Sequence, residues 1–277
     1  MLKNNFVLIA SAIFFFSFFV SFLTIVGGMN SGDGTNYSLT KAIIENHTIS
    51  LNYQKEYTLY TDYSINDNGD WISDREPGVS LLALPYYIIG KALADDTNLP
   101  YQGTSYYQEN LNEESKIQIW TYSSLSIYIA LLLSISFILL TKLKVKHSVI
   151  LVILVNVFFG SLLLKYSASF SRNAVLAVNN LVGLLSLVVF DKTKKKKYLT
   201  LAGFVFGVNA VCDYLSWISS LVIFLLIILK NKSFSRCYDF LRGFLPFLVV
   251  AFIYNYFAFG DFFVSPHSYE GQFTYMK

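Results

Sequence analysis

The chain has 277 residues, of which 54% are hydrophobic, with a mean hydropathy of +0.48 and a formal net charge of only +3. Such a composition excludes a conventional water-soluble core as the main architecture, and a charge balance so near neutral gives no reason to expect a nucleic-acid partner. The two cysteines, Cys212 and Cys237, have no metal-type spacing and read as buried free thiols.

Beyond Lys3, the segment Phe6 to Val26 carries no charge. As a helix its 21 residues would rise about 31 Å, enough to span the hydrocarbon layer. The apolar part of a cleaved signal peptide is shorter, so a retained anchor is the better reading. A polar stretch from Gly27 to Glu76 follows, with Asp33 between Gly32 and Gly34, a helical-looking run from Ser38 to Glu45, and the cluster Asp74-Arg75-Glu76. Pro77 then opens the apolar segment Gly78 to Ala94, which Pro85 interrupts and in which Tyr86 and Tyr87 suit a membrane interface. Further apolar blocks run over 117–140, 148–164, 174–190, 198–229 and 244–259.

The connectors between these blocks are basic: Lys142, Lys144 and Lys146; Lys192 and Lys194 to Lys197; Lys230, Lys232, Arg236 and Arg242. The positive-inside rule places them, with the N-terminus, in the cytoplasm. An even number of crossings must then separate Lys3 from Lys142, so the segment 78–94 is expected to lie along the outer surface. A short true span is the alternative, and it would export the lysine run. The 32-residue block Tyr198 to Leu229 must begin and end inside, and so divides into two short helices meeting near Asp213 and Tyr214. The expectation is an all-α polytopic membrane protein of about seven spans, one membrane domain over 1–277. Its large first external loop (27–117) carries thirteen acids against five bases, and the tail 260–277 is external. The expected location is the plasma membrane, with the bilayer itself as a partner.

Asp33 at the water–lipid boundary could act as a general base, or simply as a turn or helix-capping residue. Asp74-Arg75-Glu76 sets a guanidinium between two carboxylates; it could hold a phosphate or be a solvated, self-neutralising loop. Lys165 and Arg172, in the external turn after the third span, could stabilise a phosphate leaving group or snorkel at helix ends. Asp213 is either a solvated turn residue or a sugar ligand. His267, in the tail, could approach Asp74 and complete a pair for a divalent metal ion, or be a loose histidine. His47 and His147 read as surface residues. The triplets Asn36-Tyr37-Ser38 and Asn46-His47-Thr48 are of glycosylation type, a pattern that arises by chance in an asparagine-rich chain.

One N-terminal span, then Asp33 and Tyr37, an extended loop closing in Asp74-Arg75-Glu76-Pro77, and the run Leu81-Leu82-Ala83-Leu84-Pro85 together resemble the first external loop of GT-C membrane glycosyltransferases such as protein O-mannosyltransferases and lipid A aminoarabinose transferases. Tyr166-Ser167 before Phe170-Ser171-Arg172-Asn173-Ala174, the small residues Ala202, Gly203 and Gly207, and Tyr254-Asn255-Tyr256 leading to Phe259-Gly260-Asp261 agree with it. The resemblance implies transfer of a sugar from a polyprenyl-phosphate donor to a lipid, glycan or protein acceptor. Asp33 would be the catalytic base, Arg75 the donor-phosphate ligand helped by Arg172 and Lys165, and Tyr37, Glu76 and Asp213 substrate contacts. Asp74 would position a metal or substrate. The chain departs from the pattern at Gly34, where many relatives have a second acid, at Glu76-Pro77, where they have two prolines, and at Arg172, where histidine is common. Relatives usually continue with further helices, so this chain resembles a short member. The alternative is a non-enzymatic polytopic protein: a lipid-binding or assembly subunit, or an inactive relative. A transporter is disfavoured, since no intramembrane ion-pairing set or inverted repeat is visible.

Overall fold

The computed structural model describes residues 2–25, 31–94, 111–231 and 234–264. Among them are ten α-helices: α1 (Leu2–Leu23), α2 (Ser31–Glu45), α3 (Gly78–Leu93), α4 (Leu111–Lys142), α5 (His147–Phe159), α6 (Leu163–Ser167), α7 (Arg172–Thr193), α8 (Lys197–Cys212), α9 (Ser216–Asn231) and α10 (Phe234–Phe259). A 3-10 turn (Lys55–Thr58) and a short hairpin of β1 (Tyr63–Ile65) and β2 (Trp71–Ser73) lie between α2 and α3 in sequence. Among the described residues four stretches are long and apolar enough to cross a membrane: Phe6–Leu23, Glu114–Lys142, Arg172–Thr193 and Arg236–Phe259. Four shorter helices, α3, α5, α8 and α9, are also apolar. Exposed large apolar side chains stand on long and short helices alike, among them Phe15 and Phe19 on α1, Leu221 and Leu225 on α9 and Phe257 on α10, the pattern expected of helices whose solvent is lipid.

The chain forms two compact units. The first comprises Met1–Val20, Ile127–Tyr166 and Arg172–Ala251. Its helices approach unusually closely. A methyl group added at Gly203 of α8 would stand 2.0 Å from the Phe240 carbonyl oxygen of α10, and one at Gly243 would stand 2.2 Å from the Thr200 oxygen. Small residues let helix backbones touch where apolar surface alone gives no drive to associate in lipid. The ring of Phe206 fills the space beside Gly183 in the same way, between α7 and α8. Polar cross-links add to this packing. Tyr128 donates to Asn179 Oδ1 (2.7 Å), Asn179 donates to Asn209 (2.8 Å), and Asn209 donates to Asn180 (3.0 Å), tying α4, α7 and α8 together. Cys212 and Cys237 are buried and unbridged.

The second unit comprises Ser21–Ser126, Ser167–Ser171 and Phe252–Lys277. Here α2 and α3 pack side by side, Ser80 donating to the Asn36 carbonyl (2.9 Å) and Thr40 to that of Ser80 (3.3 Å). On α3 the buried residues Val79, Ala83, Tyr87 and Gly90 repeat at three- and four-residue steps, so one stripe faces inward. Gly90 leaves room for α4, since a Cβ there would meet Trp120 at 2.9 Å and Ile117 at 3.1 Å. Ile88, Ile89 and Leu93 remain exposed on the other face. Leu39, Ala42, Leu51 and Ile72 form a core with Tyr254, Ala258 and Phe259 at the end of α10.

The helix bounds differ from expectation at instructive places. Helix α2 starts at Ser31, seven residues before the helical-looking run, despite two glycines. Tyr87, expected at a membrane interface, is fully buried because it falls on the inward stripe of α3. The block 148–164 breaks at Gly160 into α5 and the short α6. Helix α10 begins ten residues before its apolar block, its first turns carrying Arg236, Asp239 and Arg242.

Candidate functional site

Asp33 is the third residue of α2, where a carboxylate meets the unsatisfied N–H groups and positive end of the helix. It is only 5% exposed. Two residues on, Thr35 donates to the Asp62 carbonyl oxygen (2.7 Å), and Asn36 donates to the Phe170 carbonyl oxygen (3.2 Å). These bonds fix the first turn of α2 against the segment before the hairpin and against the turn preceding α7. Asn36, the first residue of its triplet, is buried.

The Asp62 that receives Thr35 also holds Arg75, its Oδ2 lying 3.0 Å from the guanidinium Nη2. Asp74 Oδ1 lies 3.5 Å from Arg75 Nε on the other side. The backbone is set by Ser73, whose hydroxyl accepts from the Arg75 N–H (3.0 Å) and donates to the Arg75 carbonyl (2.9 Å). Burial disfavours the guanidinium charge, but Asp74 and then Asp62 outweigh it, and the Arg75 pKa is raised. Asp74 and Glu76 are 3% and 2% exposed, so the cluster is an enclosed ion group rather than a solvated loop. Thr35, Asp62 and Arg75 thus form a continuous chain of contacts from the first turn of α2 to the start of α3. Sequence reasoning did not single out Asp62, because nothing local marks its pairing with a residue thirteen positions on.

Along α2 a second polar array was also missed. Tyr37, Lys41 and Glu45 recur every four residues on one helical face. Tyr37 is fully buried and donates to Glu114 Oε1, while Lys41 Nζ lies 2.7 Å from Glu114 Oε2 and 3.2 Å from the Tyr57 hydroxyl. Glu45 accepts from Tyr87 (2.9 Å) and Lys91 (2.9 Å). Burial pushes the Tyr37 pKa well above its ordinary value, helped by the Glu114 charge, and pushes that of Tyr57 to about 12. For Lys41 burial acts downward, but Glu114 and Tyr57 reverse it and the net shift is up. Glu45 shows the mirror case, with burial acting upward and the bonds from Lys91 and Tyr87 carrying it below its ordinary value. The spacing of Tyr37, Lys41 and Glu45 was the available signal.

Asp33, Tyr37, Asp74, Arg75 and Glu76 belong to the second unit, whereas Lys165, Arg172 and Asp213 belong to the first. There Lys165 is exposed on α6. Arg172, at the first position of α7, pairs with Asp213 (3.4 Å), the residue that ends α8 and accepts from Ser216 at the start of α9 (3.3 Å). Asp213 is therefore a half-buried ion-pair partner at the tip between two short helices. His47 and His147 are exposed, and His267 lies outside the described residues. Among the described residues no three His, Cys, Asp or Glu side chains come together as a metal-binding set, and the Asp74 carboxylate already faces a guanidinium.

Fold and site together define a class: an all-α chain with several apolar helices compatible with a membrane protein, whose polar first loop folds with the ends of helices into its own compact unit. Comparison with protein-family models, with curated proteins and with solved structures finds no match.

Proposed function

We propose that the chain is a multi-pass glycosyltransferase of the GT-C type, moving a sugar from a polyprenyl-phosphate carrier to an acceptor at the outer face of the plasma membrane. In this reading α1, α4, α5, α7, α8, α9 and α10 make seven crossings, the N-terminus is cytoplasmic, and α3 lies on the outer surface with Ile88, Ile89 and Leu93 toward lipid. The supporting observation is the link between the two acidic ends of the first loop: buried Asp33 and the Asp74-Arg75-Glu76 cluster are joined through Thr35 and Asp62. Asp33 takes the proton of the acceptor hydroxyl as its oxygen bonds to the anomeric carbon. The bond from that carbon to the carrier phosphate breaks, and the phosphate leaves with the electron pair. Arg75 meets the developing charge; its Nη2 and Nε face the two aspartates, which leaves Nη1 for the phosphate.

The pairing of Arg75 with Asp62 and Asp74, and of Arg172 with Asp213, favours the second reading, a non-enzymatic membrane subunit or inactive relative that uses these cations only to hold its fold. Transfer of labelled sugar from a panel of polyprenyl-phosphate donors, by membranes carrying the native chain or Asp33→Asn, separates them. Loss of signal in Asp33→Asn at equal expression supports the enzyme and its base. Equal signals would remove Asp33 from that role, and no transfer from any donor would favour the subunit.

A further inference from the structure

In the first unit α7, α8 and α9 enclose an open groove of about 560 Å³. Leu184, Leu187 and Asp191 line it from α7 at steps of three and four, and Ile223, Leu226 and Ile227 line it from α9 at similar steps. The groove therefore runs along the helices. Its floor, Phe190, Leu199 and Ile227, is buried, while Leu184 and Leu226 on its rims are exposed. From Leu184 the wall is aliphatic for roughly 10 Å of helix before it reaches charge at Asp191.

That end is strongly basic. Residues 191–197 carry five lysines against Asp191. The Phe190 ring, part of the groove floor, has Lys194 Nζ 5.7 Å from its centroid and the Arg236 guanidinium carbon 5.9 Å from it. Lys194 also lies 3.7 Å from Asp191, and Lys196 lies 3.7 Å from Asp239. Lys192, Lys195 and Lys197 are exposed beside them.

An acyl chain gains little by leaving bilayer for an aliphatic groove, because lipid tails are as apolar as leucine. Selectivity must come from the charged end, and basic pockets at the ends of membrane helices suit anionic head groups. The geometry points to a binding site for an anionic glycerophospholipid, with one acyl chain along α7 and α9 and the phosphate held by Lys194 and Arg236. This assignment is independent of the glycosyltransferase reading. The same unit contains a comparison site, a groove of about 450 Å³ lined by Ile9, Ile13, Phe16, Leu133, Leu154 and Phe158 among others, with no charged residue in its lining. It has no basis for choosing between head groups.

The test uses the full chain in detergent, loaded with phosphatidylglycerol or phosphatidylcholine of matched acyl chains and examined by native mass spectrometry. Both lipids carry the phosphate, but the choline cation of phosphatidylcholine cancels its charge, so two cations beside the head group should favour net-anionic phosphatidylglycerol by about fivefold each. Lys194→Gln with Arg236→Gln should bring retention of the two lipids to parity, Leu187→Trp should obstruct the groove and lower retention, and Ile13→Trp in the comparison groove should leave the preference unchanged. Unfolding temperature checks that each variant is folded, and the charge variants carry the test if Leu187→Trp is not. Equal retention of both lipids by the native chain, or an undiminished preference in the double variant, would overturn the proposal. So would displacement of phosphatidylglycerol by equimolar polyprenyl phosphate, which would give the groove to the carrier, or a second copy of the chain covering it.

Discussion

Glu114 is the residue on which the α2 array depends, and its removal gives a measurable result. It receives Tyr37 through one oxygen and Lys41 through the other, with Lys41 and Glu114 side chains only 15% and 16% exposed. Loss of one partner of a fully buried pair costs roughly 3–5 kcal/mol, and a surface pair contributes up to about 1 kcal/mol. Partial exposure places Glu114→Ala between these limits, at about 2–3 kcal/mol, part of it from the stranded Tyr37 hydroxyl. Glu114→Gln keeps an acceptor for Tyr37 and loses only the charge, so about 1–2 kcal/mol is expected. A double-mutant cycle of Glu114→Gln with Lys41→Met isolates the pair, and a coupling of about 1 kcal/mol is expected for groups in direct contact. The assay is equilibrium unfolding in mixed micelles of mild detergent and dodecyl sulfate, followed by circular dichroism. A coupling within error of zero, or Glu114→Gln as damaging as Glu114→Ala, would refute the account of Glu114 as a charged clamp on α2.

The pH dependence of the same array has a definite sign. Lys41 has a raised folded pKa, so its contribution is complete below the unfolded value of about 10.4 and is lost as pH rises through the folded value. Glu45 has a lowered one, so its contribution is present above about 4.3 and is lost as pH falls through the folded value. Unfolding midpoints measured from pH 3 to 11 should fall at both ends, and Glu45→Gln should blunt the acid limb. Gly203→Leu should abolish accumulation of folded protein, since its Cβ would fall 2.0 Å from backbone that cannot yield; size-exclusion profiles after mild extraction read this. Asn209→Leu breaks two interhelical bonds and should lower stability by about 1–2 kcal/mol in the same micelle assay.

Much of the helical layout was legible because apolar blocks and lysine runs report it directly. The division of the 32-residue block at Asp213 followed from charge parity, and α8 and α9 do part there. Helix α3 begins at Gly78, after the proline that marks the change from polar to apolar sequence. The start of α2 was hidden because Gly32 and Gly34 are poor helix formers, and tertiary bonds from Thr35 and Asn36 override that local preference. The hairpin could have been found from the five-residue polar loop Asn66 to Asp70, which holds Gly69 between two β-prone triplets; Gly69 takes a left-handed φ of +82°. Asp33 and Arg75 were readable as candidates, but Asp62, which links their segments, was not. Its role arises only when the 3-10 turn and hairpin bring it back beside Thr35.

Where α8 and α10 meet backbone to backbone at Gly203 and Gly243, sequence drift has little room. Most side chains along these helices can change in concert with a neighbour, one growing as another shrinks. No such exchange exists at a crossing where the opposing atoms are carbonyl oxygens and main-chain nitrogens. Exposed residues such as Phe257 and Leu229 lie at the other extreme, since any apolar side chain serves there. Distant descendants of a common ancestor would therefore share the spacing of small residues on these two helices long after their exposed apolar residues had lost all resemblance.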